Sequence, residues 1–244
     1  MGFVRIIEDF SKTLLNYSHV AKAIHFLENR KNRNAVFIWI PKNAGTSIYK
    51  TLKKHGCLKA KKIPRVKYRF SQRGIVTFAH MDYSQLVNQG YVHEHFDKTA
   101  YKFCFSRNPY DRAISLYEYF KKDLPEGTTF HDFIGTITKK GVQPIGLYNS
   151  VGFSSCNPQL RWIENVKIDF YGTYENLGQD FNFVLRSLGL PEVPLLHLNK
   201  SKRSDYTDYY DFETKRRVEE FYKEDFDFFN YPFMDDSFFS QAHS

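Results

Sequence analysis

The sequence predicts an α/β domain built on a doubly wound, mainly parallel sheet that is flanked by helices. Three observations lead to this prediction. Apolar runs of strand length recur along the chain, segments with helical spacing separate them, and two of the runs end at a cationic turn that leads into a helix. The chain has 244 residues, of which 42% are hydrophobic and 25% charged, as is typical of one folded domain. We therefore expect a single domain over residues 1–244.

Four apolar runs predict the strands, and the first is apolar throughout, as expected for the centre of a parallel sheet. The runs cover residues 35–40, 74–80, 101–106 and 167–172. Helical spacing and capping signals predict the helices around them. These cover residues 3–30 as one or two helices, 45–55, 83–89, a helix that starts at Pro109, 180–188 and 211–227. Residues 1–34 thus form a helical extension, and residues 121–160 are rich in loop signals.

Two segments about sixty residues apart have the chemistry of anion-binding loops. The first strand is followed by the loop Pro41-Lys42-Asn43-Ala44-Gly45-Thr46-Ser47. The strand 101–106 is followed by Arg107 and by a helix that Asn108 can cap. Each segment directs the N–H groups of a helix start and a positive charge at one spot. Together they predict a pocket for a nucleotide that is phosphorylated at two separate places.

The first loop is P-loop-like, but it differs from the loop of nucleotide-hydrolysing enzymes. In those enzymes a Lys directly precedes the Ser or Thr that holds Mg²⁺, whereas here Lys42 lies upstream of Gly45. A strand that completes a Mg²⁺ site ends in Asp, whereas this chain has Arg107 at that place. The sequence therefore predicts binding of phosphate without a metal ion.

These segments resemble those of the sulfotransferases that use 3′-phosphoadenosine 5′-phosphosulfate (PAPS), most closely the carbohydrate sulfotransferase branch. The resemblance continues downstream and spans a core at residues 35–232. Its later landmarks are Gly172–Leu177, His197–Ser201, Phe221–Phe226 and Tyr231. The resemblance implies an enzyme that transfers a sulfuryl group from PAPS to a hydroxyl of a carbohydrate or glycolipid, without a metal, and that releases adenosine 3′,5′-bisphosphate (PAP).

The resemblance also implies roles for individual residues. The loop that binds the 5′-phosphosulfate comprises Lys42, Asn43, Ala44, Gly45, Thr46 and Ser47. Lys42 is the catalytic cation, because its ammonium can neutralise the charge that develops on the leaving phosphate oxygen. Arg107 and Ser115 bind the 3′-phosphate, for which a guanidinium fork is well suited.

Three further assignments have structural alternatives. His80 ends the predicted strand 74–80, at a position that matches the catalytic His of the related 2-O-sulfotransferases, and is the candidate base; a structural His at a strand end is the alternative. Tyr174 either contacts the adenine or packs in the core. The basic loop with Lys200, Ser201 and Arg203 either closes over the nucleotide or is a solvated turn.

The charge of the chain is uneven and has a net value of +8. One stretch between residues 50 and 73 has no acidic residue. Its cations include Lys53, Lys54, Lys59, Lys61, Lys62, Arg65, Lys67 and Arg69. This stretch either attracts an anionic donor or a polyanionic acceptor, or forms a solvated face. Because no nucleic-acid module is recognisable, we expect no nucleic-acid partner.

The remaining signals concern the compartment and metals. Cys57, Cys104 and Cys156 are widely spaced and odd in number, which favours a reducing compartment. No apolar run is long enough to span a bilayer and no signal peptide is evident, so we expect a cytoplasmic enzyme, with peripheral membrane association left open. His93 and His95 lack a third ligand at useful spacing, so we expect a surface pair and no metal site.

Two other functions are compatible with such loops. A P-loop kinase or nucleotide hydrolase would prefer ATP and depend on Mg²⁺. A non-catalytic module would bind the nucleotide, or another sulfated or phosphorylated ligand, without transferring a group.

Overall fold

The structure of the chain is a computed structural model that describes residues 19–139, 147–148, 153–194 and 206–236. The first part of the predicted N-terminal helices lies outside the described residues. The same holds for the basic loop with Lys200, Ser201 and Arg203. Within the described ranges, each helix is too short or too polar to cross a bilayer.

The centre of the fold is a five-stranded parallel sheet with the strand order β2-β3-β1-β4-β7. Its strands are β1 (Ala35–Ile38), β2 (Leu58–Lys59), β3 (Ile75–Thr77), β4 (Tyr101–Ser106) and β7 (Phe170–Thr173). A separate antiparallel pair consists of β5 (Leu147–Tyr148) and β6 (Phe153–Ser154). The predicted doubly wound, mainly parallel sheet is confirmed, and the most apolar run lies at its centre.

Helices cover both faces of the sheet and one end of it. They are α1 (His19–Glu28), α2 (Gly45–Lys53), α3 (Ile63–Arg69), α4 (Tyr83–Asn88), α5 (Glu94–Thr99), α6 (Pro109–Phe120), α7 (Phe130–Ile137), α8 (Leu177–Ser187), α9 (Phe212–Phe221) and α10 (Lys223–Phe229). Short 3-10 turns lie at Lys121–Asp123, Gln159–Trp162 and Tyr206–Tyr209. The helix start predicted at Pro109 is confirmed, and Asn108 caps it by accepting a hydrogen bond from the N–H of Tyr110 at 3.0 Å.

Alternation along β1 explains why both faces are covered. Phe37 packs with apolar residues of α2 and α8, whereas Val36 and Ile38 pack with those of α3, α4 and α5. A third cluster joins α6, α7, α9 and α10 and is rich in aromatic side chains, including Tyr222 and Phe226. Many aromatic residues near the C-terminus therefore fill a core. All three cysteines are buried and none forms a disulfide.

The structure differs from the sequence-based prediction in several elements. The predictions did not include β2, α3, α5 or α7, and the final helix predicted at 211–227 is two helices that meet at Tyr222. The short elements have too few residues for a clear period. The predicted end of β3 at His80 is wrong. In the structure β3 stops at Thr77, and Ala79 adopts a φ of 52°.

Candidate active site

Four of the predicted site residues follow strands of the sheet and lie at one edge of it. Because the strands are parallel, their carboxyl ends meet there, and the chain passes from β1 through β2 to β3 on one side of β1 and then crosses to β4 on the other side. Ligands of such sheets bind where the strand order reverses in this way. Residues that follow β1, β3, β4 and β7 are Lys42, His80, Arg107 and Tyr174, respectively.

The loop after β1 forms a strained cradle in front of α2. Lys42 and Ala44 have positive φ angles of 72° and 58°, which cost a residue with a Cβ about 1–2 kcal/mol each. No side chain caps the start of α2, and the N–H of Ser47 donates to the carbonyl oxygen of Ala44 at 2.9 Å, so the N–H groups of Gly45 and Thr46 are those of the first turn that can meet an anion. Strain of this kind persists mainly where function requires the shape.

Gly45 is required by the close approach of an indole ring. A Cβ at Gly45 would lie 1.8 Å from Nε1 of Trp39, whose ring is buried and stacks on Tyr49 with centroids 5.9 Å apart. The ring thus leaves room for backbone alone at the first residue of α2.

We expect Gly45→Ala to weaken nucleotide binding and to lower the free energy of unfolding by about 1–3 kcal/mol, since the indole must shift. The matched control is Gly178→Ala near the start of α8, where a new Cβ meets nothing within 4 Å. Calorimetric titration with PAP and thermal unfolding measure both effects. Wild-type affinity in the Gly45 variant would contradict the tight fit.

The side chain of Asn43 faces inward and not into the cradle. Its Nδ2 donates to the carbonyl oxygen of Phe105 at 2.6 Å and to Oε1 of Gln159 at 2.7 Å, and the residue is 1% exposed. A bound anion could therefore meet only the backbone of Asn43. Of the two hydroxyl residues that follow, Thr46 is exposed and Ser47 is buried.

Arg107 links the second cationic turn to the first. Its Nη1 donates to the carbonyl oxygen of Lys42 at 3.0 Å, and its Nε and Nη2 both lie 2.6 Å from Oδ2 of Asp111. The guanidinium carbon lies 4.0 Å from the centroid of the Tyr174 ring, which packs beneath it. Burial lowers the pKa of Arg107, but an arginine remains charged because its ordinary pKa is so high. The structure thus brings the two turns together.

Two further residues near these turns, Ser115 and Tyr119, lie on α6. Ser115 is half-buried two turns beyond Arg107. The ammonium of Lys42 lies 4.1 Å from the centroid of the Tyr119 ring, which is exposed near the end of the same helix. The positive charge of the first loop is therefore held on the side of α6.

His80 is fixed by a hydrogen bond to the first strand's end. Its Nδ1 lies 2.7 Å from the carbonyl oxygen of Trp39. Because a carbonyl can only accept, Nδ1 carries the proton and Nε2 is the basic nitrogen. Burial, assisted by the charges of Lys59, Lys61 and Arg112, lowers the pKa of His80 to about 4. The imidazole is therefore neutral at physiological pH and can accept a proton.

Lys59 lies against the Trp39 ring that packs on Gly45, and sequence reasoning did not single it out. It ends β2, and its ammonium lies 3.8 Å from the Trp39 ring and 5.0 Å from the Tyr49 ring. Burial and the nearby Lys61 lower the pKa of Lys59 to about 8. The sequence signal was its membership of the basic stretch, which did not distinguish it from its neighbours.

The paired histidines have a local structural role. Both are exposed, and Nδ1 of His93 accepts a hydrogen bond from the N–H of His95 at 3.2 Å at the start of α5. Among the described residues, no group of three or more His, Cys, Asp or Glu side chains is arranged to hold a metal ion.

The fold and the site define an α/β protein that can hold an anionic nucleotide between two cationic turns at the switch point of a parallel sheet. The chain belongs to the Sulfotransferase family, whose pattern matches residues 25–232. It is therefore a sulfotransferase, as the resemblance implied.

Solved structures and one curated protein are similar to this chain. The crystal structure of mouse sulfotransferase SULT7A1 complexed with PAP is similar over 80% of this chain and 84% of the mouse chain, at 17% identity and a TM-score of 0.53. A sulfotransferase from Alicyclobacillus acidocaldarius is similar over 79% of this chain and 92% of the bacterial chain, at 16% identity and a TM-score of 0.46. An uncharacterized protein from Archaeoglobus fulgidus is 32% identical over 105 residues, which are 43% of this chain and 80% of that protein. The mouse structure shows that the fold is shared.

Proposed function

We propose that the protein transfers a sulfuryl group from PAPS to a hydroxyl of a carbohydrate or glycolipid. The observation that carries this proposal is the 3.0 Å hydrogen bond from Nη1 of Arg107 to the carbonyl oxygen of Lys42. It unites the two cationic turns at the switch point, where one nucleotide with two phosphate-bearing ends can reach both. PAP in the structure of the mouse sulfotransferase supports this donor.

In the proposed donor complex, the cradle at residues 42–47 holds the 5′-phosphosulfate with its backbone N–H groups and with Lys42. Arg107 and Ser115 hold the 3′-phosphate. Tyr174 supports the guanidinium of Arg107 from one side, so its contribution to nucleotide binding runs through that cation. The basic loop with Lys200, Ser201 and Arg203 stays a proposed cover of the nucleotide.

The proposed reaction is an in-line displacement at sulfur. The acceptor oxygen forms a bond to sulfur while the bond from sulfur to the phosphate oxygen breaks, and PAP leaves with the electron pair. His80 takes the proton of the acceptor hydroxyl on Nε2, and its hydrogen bond to Trp39 aligns the ring. Lys42 neutralises the charge that grows on the departing phosphate.

The acceptor class is supported by a cavity whose lining includes none of the assigned phosphate-binding or catalytic residues. The cavity has a volume of about 670 Å³ and lies beside α6, and its lining includes residues of the loop-rich segment 121–160. Its lining residues are Tyr117, Glu118, Lys121, Pro125, Glu126, Gly127, Thr128, Thr129, Phe130 and Tyr209. Aromatic rings with polar neighbours suit a sugar, whose apolar faces stack on rings while its hydroxyls form hydrogen bonds.

A transfer assay with labelled PAPS tests the proposal. We expect label to appear in at least one member of a panel of glycans, glycolipids and small phenols, and we expect chelators to leave the rate unchanged. ATP should not compete with PAP for binding. A non-catalytic module would bind PAP and transfer nothing to any acceptor, and a kinase would bind ATP in preference and require Mg²⁺.

We expect His80→Ala to lower turnover by roughly a hundredfold or more while the affinity for PAP stays close to that of the wild type. In the wild type, kcat/KM should stay level as pH falls from about 7 to about 5 and should fall only below that, because the imidazole is protonated near its lowered pKa of about 4.

The control variant is His95→Ala, which changes an exposed histidine on α5. It should match the wild type in turnover and in pH profile. Unchanged turnover of the His80 variant, or an acid limb near the ordinary histidine pKa that persists in that variant, would remove His80 from the mechanism.

A further inference from the structure

Gln159 connects the two cationic turns from a third segment of the chain. It begins the 3-10 turn after Pro158 and is fully buried. Its Oε1 accepts from the backbone N–H of Arg107 at 2.9 Å and from Nδ2 of Asn43 at 2.7 Å. Its Nε2 donates to the carbonyl oxygen of Arg107 at 2.9 Å. One amide group thus contacts both loops.

These contacts fix the amide orientation of both side chains. Gln159 pairs with the N–H and the carbonyl of Arg107 at once, as a residue of a neighbouring strand would. Asn43 faces two acceptors, the carbonyl oxygen of Phe105 and Oε1 of Gln159, so its nitrogen must point at them. The hydrogen bonds of the bridge therefore require one orientation of each amide, which leaves Oδ1 of Asn43 buried without a hydrogen-bond partner.

A buried carboxylate on α10 holds Gln159 in place. Asp225 accepts from the backbone N–H of Gln159 at 2.7 Å and from that of Leu160 at 3.0 Å, and it is 0% exposed. Burial raises the pKa of Asp225, and the charge of Arg112 opposes this. Arg112 donates from the other side to the carbonyl oxygens of Pro41 and Ser155. The segment that carries Gln159 is thus anchored to α6 and to α10.

We propose that Gln159 is a positioning residue that sets the spacing between the 5′-phosphate cradle and the 3′-phosphate site. This inference rests on the proposed function, since it concerns the same nucleotide. A ligand gains from a second anchor only if the two anchors are held at the distance that the ligand spans. Gln159 maintains that distance, because it contacts Asn43 in one loop and the backbone of Arg107 in the other.

The test compares two nucleotides that differ by one phosphate. Titration calorimetry gives the Kd of PAP and of adenosine 5′-monophosphate, and the ratio of the two measures the gain from the 3′-phosphate. We expect Gln159→Leu to reduce this gain roughly tenfold or more, mainly by weakening the binding of PAP. Asn43→Ala removes only one end of the bridge and leaves the pairing with Arg107, so it should reduce the ratio in the same direction.

The matched control is Tyr222→Phe. Its hydroxyl donates to the carbonyl oxygen of Cys156 at 2.7 Å and also contacts Arg112, so the variant loses a buried hydrogen bond in the same segment while Gln159, Asn43 and Arg107 keep theirs. Its ratio should equal that of the wild type, with circular dichroism and thermal unfolding confirming that each variant is folded.

Two results would overturn the inference. The first is a wild-type ratio in both the folded Gln159 variant and the Asn43 variant; if the Gln159 variant does not fold, the Asn43 variant alone decides. The second is an equal fall of the ratio in the Tyr222 variant, which would show a general loss of stability. A wild-type protein that gains nothing from the 3′-phosphate would instead refute the proposed function itself, and is thus distinguishable.

Discussion

Replacing Lys42 by alanine is expected to lower turnover by about a thousandfold while PAP affinity changes less than about tenfold. The ammonium acts mainly in the transition state, where negative charge builds on the leaving phosphate oxygen. A thousandfold loss corresponds to about 4 kcal/mol of transition-state stabilisation. The contact of Lys42 with the exposed Tyr119 ring, at 4.1 Å, is worth only about 0.5–1 kcal/mol. The loss of this one contact when the ammonium reaches the donor is therefore a small cost.

Lys122→Ala is the control for this prediction, because its ammonium lies 6.0 Å from the same Tyr119 ring and the variant removes the same charge. It should turn over like the wild type. Single-turnover rates with labelled PAPS separate the chemical step from product release. A Lys42→Ala enzyme that keeps more than about a tenth of the wild-type rate would show that another cation neutralises the leaving group.

Replacing Arg107 by alanine is expected to weaken PAP binding by more than about a hundredfold, or roughly 3 kcal/mol, while the affinity for adenosine 5′-monophosphate stays within about threefold. The guanidinium is buried and makes charge-assisted hydrogen bonds, which are the strong class. Arg107→Lys should restore little, since an ammonium lacks the fork that can bind Asp111 and a phosphate together. Calorimetry with both nucleotides measures the selectivity.

Removing Arg107 also takes away the guanidinium that lies 2.6 Å from the carboxylate of Asp111, and that negative charge could then repel a phosphate. The double variant Arg107→Ala with Asp111→Asn tests this. We expect it to bind PAP as weakly as the single variant, because the missing contact causes the loss. Full recovery of binding in the double variant would mean that Asp111 repels the nucleotide and that Arg107 merely masks it.

Much of the fold could be predicted because its signals are local. The apolar run of β1 and the Asn-Pro start of α6 each depend on a few adjacent residues, and both are confirmed. The two-residue strand β2 is too short to have a period, and it forms because β3 offers it a parallel partner. The break at Tyr222 likewise follows from packing, since that ring is buried in the aromatic cluster.

Some features of the site likewise follow from local sequence, whereas others depend on contacts between distant segments. The cationic turns could be predicted, because strand, loop and helix are contiguous in the sequence. The inward turn of Asn43 and the role of Gln159 could not, because Gln159 follows Asn43 by 116 positions and only the folded chain brings them together. The position of Lys59 against Trp39 depends equally on the pairing of β2 with β3.

A crystal structure of the protein with PAP tests the central claim most directly. We predict one PAP molecule whose 5′-phosphate lies in the cradle at residues 42–47 and whose 3′-phosphate receives hydrogen bonds from the guanidinium of Arg107. A PAP molecule bound elsewhere, or one that leaves Lys42 and Arg107 facing different cavities, would contradict the claim that the two turns form one nucleotide site.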